Sequence, residues 1–192
     1  MRISGGADKG RLTTTKGFFS RKSPWQKIRP TSTKVREALF DILRGNITGA
    51  RFADLYAGTG SVGLEALSRG CNETTFVEND KSLINALRNN VKKLGYDRRV
   101  HIEEGKVHTF LERALATSRT FDIVFLDPPY RSDEIGNVLP VVEQGTLVSD
   151  EGIVIVEHFF KTNVPDSLKM LKVCRSYRYG DTVLTLYRKK CL

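Results

Sequence analysis

Asp127-Pro128-Pro129-Tyr130 places a carboxylate, two residues without N–H donors and a flat phenol ring side by side. The prolines fix the backbone and remove two donors. What remains at that corner is a rigid array of acceptors, the Asp127 carboxylate and the exposed backbone carbonyls. Such a set suits an aromatic amine. The exocyclic NH2 of a base is a poor nucleophile because its lone pair is delocalised into the ring. Acceptors that hold its hydrogens favour a more pyramidal nitrogen with an available lone pair. Positioning carries most of such catalysis, and Asp127 stabilises the positive charge that develops on nitrogen. Tyr130 can stack on a base splayed or flipped out of its helix. A Pro-Pro pair beside a tyrosine is also an ordinary strand-ending turn.

A second stretch narrows the chemistry. Gly58, Gly60 and Gly63 match GxGxxG in Asp54-Leu55-Tyr56-Ala57-Gly58-Thr59-Gly60-Ser61-Val62-Gly63, between an expected strand and an expected helix. Glycines let the backbone turn tightly and approach a ligand, and a helix N-terminus presents free N–H groups. Glu78 closes the next strand, 20 residues past Gly58, where a carboxylate can accept from both hydroxyls of a ribose. Nicotinamide dinucleotides and S-adenosylmethionine both use such loops. Asp54, just before the loop, favours a ligand with a free amino group over one with a pyrophosphate. About 130 residues follow the loop, little for the second domain that a dehydrogenase uses. Both points favour S-adenosylmethionine.

These residues need a scaffold that brings strand ends together. After Gly49 the pattern alternates: strands at Arg51–Tyr56, Thr74–Val77, Val100–Glu103, Phe121–Leu126 and Gly152–Glu157. Helices are expected from the loop to about Arg69, over Lys81–Leu94 and Val107–Thr117, and between Ser132 and Gln144. Strands apolar on both faces imply a mostly parallel sheet covered on each side. Met170–Tyr179 and Thr182–Arg188, joined by Gly180-Asp181, read as a closing antiparallel hairpin. The expected fold is a doubly wound, Rossmann-like α/β sheet. Before it, Val35, Ala38, Leu39, Ile42 and Leu43 fall at helical spacing, with Thr31 as N-cap. Residues 1–30, rich in glycine and threonine, read as a β-ribbon or loop. The expected division is an arm over 1–30 and a domain over 31–192.

Charge is concentrated in the first 50 residues, which hold 11 lysines and arginines against Asp8, Glu37 and Asp41 of a net +9. Such asymmetry suggests a docking surface for a polyanion, with Arg2, Lys9, Arg11, Lys16, Arg21 and Lys22 as RNA-binding candidates; a solvated arm is the plainer reading. Trp25 can stack on a nucleotide or pin the arm to the domain. The longest apolar runs are four residues, such as Ile153–Val156, far short of a membrane span, and no secretory signal is expected. Cys71, Cys174 and Cys191 suit a reducing cytoplasm. His101, His108 and His158 lack metal-ligand spacing, so no metal is expected.

The chain resembles the RsmD-type bacterial methyltransferases, which modify guanine N2 in small-subunit (16S) ribosomal RNA. The likeness runs through Arg2-Ile3-Ser4-Gly5-Gly6, Lys9-Gly10-Arg11, Arg29-Pro30-Thr31, Val35-Arg36-Glu37-Ala38-Leu39-Phe40, the glycine loop, Gly63–Gly70, Asp127–Tyr130 and Tyr179-Gly180-Asp181-Thr182. The Arg-Pro-Thr and Val-Arg-Glu-Ala-Leu-Phe stretches discriminate best. The resemblance implies a seven-stranded class I methyltransferase sheet with one antiparallel strand. It implies S-adenosylmethionine contacts at Asp54, Gly58, Gly60, Glu78 and Thr31, and target-amine contacts at Asp127, Pro128 and Tyr130. It also implies a monomer acting on 16S rRNA within the small ribosomal subunit or an assembly intermediate. One departure stands out: Gly105-Lys106-Val107 replaces the family's Gly-Asp-Ala. A lysine cannot accept a hydrogen bond from adenine's amino group, which leaves backbone groups, Glu104 or a weaker contact. A DNA adenine-N6 methyltransferase and a non-catalytic rRNA-binding assembly factor are the alternatives.

Overall fold

The structure, a computed structural model, describes residues 1–14, 32–129 and 133–190. Chain order is α1 (Thr33–Ile42), β1 (Arg51–Leu55), α2 (Ser61–Ser68), β2 (Glu73–Glu78), α3 (Lys81–Leu94), β3 (Val100–Glu104), α4 (Val107–Ala116), β4 (Phe121–Leu126), α5 (Glu134–Val142), β5 (Val148–Phe159), β6 (Leu171–Tyr179) and β7 (Thr182–Lys189). The strands form one sheet in the order β3-β2-β1-β4-β5-β7-β6. β1 to β5 pair in parallel, and β7 runs antiparallel to both β5 and β6. This is the doubly wound sheet that the sequence predicts, with its closing antiparallel hairpin.

Local chemistry explains the boundaries. Asp80 caps α3 by accepting from the Ser82 and Leu83 N–H groups at 2.7 and 3.1 Å, and Gly95, at φ +76°, ends it. α1 begins one residue later than its expected cap: Ser32 accepts from the Val35 N–H at 3.2 Å, so Ser32 and not Thr31 is the N-cap. β5 is longer than Gly152–Glu157. It starts at Val148 opposite Phe121 and runs to Phe159 opposite Thr182, with a register shift between Phe121 and Ile123. Apolar continuity could not reveal the first half, because Ser149, Asp150 and Glu151 break it.

Two apolar layers cover the sheet. Phe40, Leu64, Phe76 and Leu87 pack beneath α1, α2 and α3 on one face. Phe110, Leu111, Val138 and Leu139 pack beneath α4 and α5 on the other. Residues 1–14 form a short antiparallel ribbon, bridged at Arg2 and Leu12, with Ile3 in the first layer. A buried ionic cluster fastens this ribbon. Glu65 pairs with Arg36 at 3.4 Å and Arg69 at 2.9 Å and accepts from the Ser4 N–H and hydroxyl at 2.8 and 2.7 Å. The Arg36 guanidinium also donates to the Arg2 carbonyl at 2.9 Å.

Candidate active site

The parallel strands end along one edge, which brings Asp54, Gly58, Glu78 and Asp127 together. Gly58 follows β1 at φ +58°, with nothing within 4 Å of where a Cβ would stand. The other two loop glycines serve packing. A Cβ on Gly60 would meet Leu87 Cδ1 at 2.3 Å, and one on Gly63 would meet the Phe76 ring at 2.3 Å and Thr74 Cγ2 at 2.7 Å. Gly60, at φ +81°, is the N-cap of α2 and offers no side chain to the helix N–H groups. Gly58 therefore faces the open side of the loop, while Gly60 leaves room for Leu87 of α3 and Gly63 lets α2 lie close on β2.

Glu78 is oriented by the backbone around it. Its Oε2 accepts from the Gly58 N–H at 2.8 Å, and its Oε1 accepts from the Asn79 and Asp80 N–H groups at 2.8 and 2.9 Å. Asp54 is buried and accepts from the Gly63 N–H at 2.9 Å. Burial pushes its carboxyl up to about 7; the Gly63 N–H opposes that rise, and the charges of Asp127 and Glu78 reinforce it. Three carboxylates thus gather at the ends of β1, β2 and β4. Such a cluster favours a ligand that brings positive charge.

Asp127 stands one residue past β4, its N–H reaching back to the Leu55 carbonyl at 3.5 Å. Pro128 is buried and Pro129 exposed. Tyr130, assigned to base stacking, lies outside the described residues, as do Thr31, Lys16, Arg21, Lys22 and Trp25. Of the other basic candidates, Arg2 and Lys9 are exposed on the ribbon. Arg11 is engaged internally, pairing with Asp8 at 2.6 Å and donating to the Lys93 carbonyl at 2.6 Å.

Lys106 is exposed at the N-cap of α4, with no capping bond from its side chain. Glu104 is paired with Arg88. Glu104 thus shares its carboxylate with Arg88, and the Lys106 side chain offers no acceptor at this corner. His101 and His108 approach Glu73 and Glu112. The His158 ring contacts Thr185 Oγ1 at 2.8 Å and the Phe159 carbonyl at 3.0 Å. Among the described residues no group of three His, Cys, Asp or Glu could hold a metal ion.

Two contacts at the site were not foreseen. Tyr56 adopts φ +69° between β1 and the loop, a conformation costly for a bulky residue. Its hydroxyl donates to Glu134 at 2.5 Å, tying the loop to the head of α5. Asn90, fully buried on α3, donates to the Thr59 carbonyl at 3.1 Å and also pairs with the backbone of Thr14. Neither shows in sequence spacing, since the partners lie 31 to 78 residues apart.

Similarity to known proteins agrees with this architecture. YlbH of Bacillus subtilis, named provisionally as an rRNA methyltransferase, is 30% identical over 99% of this chain and 100% of its own length. Ribosomal RNA small subunit methyltransferase D of Escherichia coli is 29% identical over 85% of this chain and 80% of its own. Among solved structures, yhhF of Escherichia coli superposes with a TM-score of 0.80 at 28% identity, covering 100% of this chain and 99% of that one. A hypothetical protein of Thermus thermophilus also reaches 0.80, at 30% identity, covering 98% and 99%. The family model described as Conserved hypothetical protein 95 matches residues 1–188. The chain belongs to that family, the RsmD-type rRNA methyltransferases.

Proposed function

We propose that this protein is a cytoplasmic S-adenosylmethionine-dependent methyltransferase acting on the exocyclic N2 of a guanine in 16S rRNA. Its substrate is the small ribosomal subunit or an assembly intermediate, and it works as a monomer without a metal. The observation that carries the reading is Asp127-Pro128-Pro129 at the end of β4, beside a loop where Gly58 faces open space and Asp54 and Glu78 supply carboxylates.

The residues present fit the cofactor. Glu78, steadied by three backbone N–H groups, keeps one Oε2 lone pair for a ribose hydroxyl. Asp54 offers a buried negative charge to the amino group, and Gly58 allows close backbone approach. Thr31 is assigned to the methionine end. When bound, the cofactor supplies a methyl group activated by its sulfonium. Asp127 and the Pro128 carbonyl hold the hydrogens of the target amine and localise its lone pair. Asp127 balances the positive charge that grows on nitrogen, and the surplus proton leaves through it or to water. Tyr130 stacks on the target base, and Arg2, Lys9, Lys16, Arg21 and Lys22 dock phosphates.

The test uses unmodified small ribosomal subunits and methyl-labelled S-adenosylmethionine, followed by digestion of the RNA to nucleosides. Labelled N2-methylguanosine is expected, and Asp127→Ala should lower turnover at least a hundredfold, to the order of magnitude of one lost electrostatic group. Label in adenosine would overturn the guanine assignment. Unchanged turnover in Asp127→Ala would remove that residue from the mechanism.

A further inference from the structure

β7 is antiparallel to both β5 and β6, so β5 and β6 run in the same direction and end on the edge that carries Asp127. At that end Phe159 and Phe160 tilt against each other with ring centroids 4.7 Å apart. The Arg178 guanidinium lies over the Phe160 ring at 4.0 Å, and the Lys161 ammonium stands 5.5 Å from the same centroid. The hairpin turn holds this arrangement: Arg178 Nε donates to the Gly180 carbonyl at 2.9 Å, and the Phe160 N–H donates to the Asp181 carbonyl at 2.9 Å. Arg178 and Lys161 are exposed and the ring is half-buried. Neither cation forms an ion pair among the described residues. Asp181, exposed in the turn, presents its backbone carbonyl to this cluster.

Val156 is opposite Leu126, which puts Phe160 about 10 Å beyond the level of Asp127 at ~3.3 Å per strand residue. Phe160 thus lies just past the end of β5, the strand next to the one that leads into Asp127. A planar guanidinium fixed over an aromatic ring is a surface on which unpaired bases stack. A lysine beside it meets a phosphate. We infer that Phe160, Arg178 and Lys161 form a stacking subsite for an unpaired RNA base flanking the target nucleotide. This rests on the RNA methyltransferase reading above. The Pro-Pro corner takes the reacting base, and this subsite takes its neighbour.

The test compares wild type with Phe160→Leu, Phe160→Trp, Arg178→Ala and Lys161→Glu, using unmodified small subunits for kinetics and calorimetry with S-adenosylhomocysteine as control. Phe160→Leu and Arg178→Ala should each raise KM for the particle about tenfold, the lower range of one base–aromatic stack. Turnover at saturation and cofactor affinity should stay unchanged. Phe160→Trp, which restores a flat ring, should return KM to the wild-type value or below it, and a KM as high as that of Phe160→Leu would count against stacking. Lys161→Glu, fully on the surface, tests charge without threatening the fold and should raise KM. Ultraviolet crosslinking of wild type should attach RNA to the peptide holding Phe159 and Phe160. Unchanged KM in both Phe160→Leu and Lys161→Glu, with crosslinks mapped elsewhere, overturns the subsite and leaves the function standing. Failure of wild type to methylate RNA overturns the function itself.

Discussion

Burial raises the Asp54 carboxyl to about 7, so in the free protein it is mostly protonated at pH 6 and mostly ionised at pH 7.5. A ligand with an ammonium group binds the ionised form and releases the proton when it binds at low pH. Affinity for S-adenosylhomocysteine should therefore rise about eightfold from pH 6 to 7.5 and then level off. Asp54→Asn should flatten the profile, and calorimetry in two buffers of different ionisation enthalpy would count the proton. A flat wild-type profile would remove Asp54 from amino-group recognition. The stability sign follows from the same shift. The folded state holds this proton to higher pH than the unfolded chain, so the residue's contribution is present at acid pH and lost as pH rises through about 7. The loop glycines separate in a second experiment. Gly63→Ala drives a methyl into Phe76 and Thr74 and should cost about 1–3 kcal/mol of stability, seen as a lower melting temperature. Gly58→Ala meets open space, strained only by its φ of +58°, and should weaken cofactor binding with a smaller effect on melting. The sequence could nominate Asp54, Glu78 and the glycines because one continuous run, β1 through the loop and α2 to the end of β2, contains them. Which glycine faces the ligand it could not show, since that depends on Phe76 and Leu87 from other elements.

At the scale of elements, α3 is the hinge between the ribbon and the loop. Asn90 accepts from the Thr14 N–H at 2.6 Å, donates back to the Thr14 carbonyl at 3.2 Å, and donates to the Thr59 carbonyl at 3.1 Å. One buried amide thus satisfies two segments of backbone and fixes the loop relative to the ribbon. Asn90→Leu is close in volume but leaves these backbone groups unpaired, at a cost of about 1–3 kcal/mol. Cofactor affinity should fall with stability, measured by calorimetry and thermal melting, while KM for RNA changes less. Equal cofactor affinity in the variant would show that the loop holds its shape without α3. Apart from β5, strands and helices were readable to within a residue or two, α3 and β4 to their ends, because their periodicity and caps are local. The links that make the site rigid, Asn90 to Thr59 and Tyr56 to Glu134, join residues that no spacing rule connects.

At the scale of the molecule, the cations of the ribbon among the described residues differ in how they are engaged. Arg11 is half-exposed but engaged, bridging Asp8 and the carboxyl end of α3, where a cation also meets the negative end of the helix dipole. Arg2 and Lys9 have no ion-pair partner among the described residues, and the Arg2 guanidinium donates to the Gly10 carbonyl at 3.3 Å. The sequence could count these cations but could not assign them, because engagement depends on where α3 ends relative to the ribbon. Two signatures follow. Arg2→Ala and Lys9→Ala should each lower the slope of log affinity for rRNA against log salt by about 1, the loss of one phosphate contact, without moving the melting temperature. Arg11→Ala should lower stability by about 1 kcal/mol, with little change in salt slope. Filter binding of 16S rRNA over a range of salt concentrations, beside thermal melting, reads both. If Arg11→Ala instead reduces the slope as Lys9→Ala does, its contacts with Asp8 and Lys93 open on docking and the ribbon binds RNA as a unit.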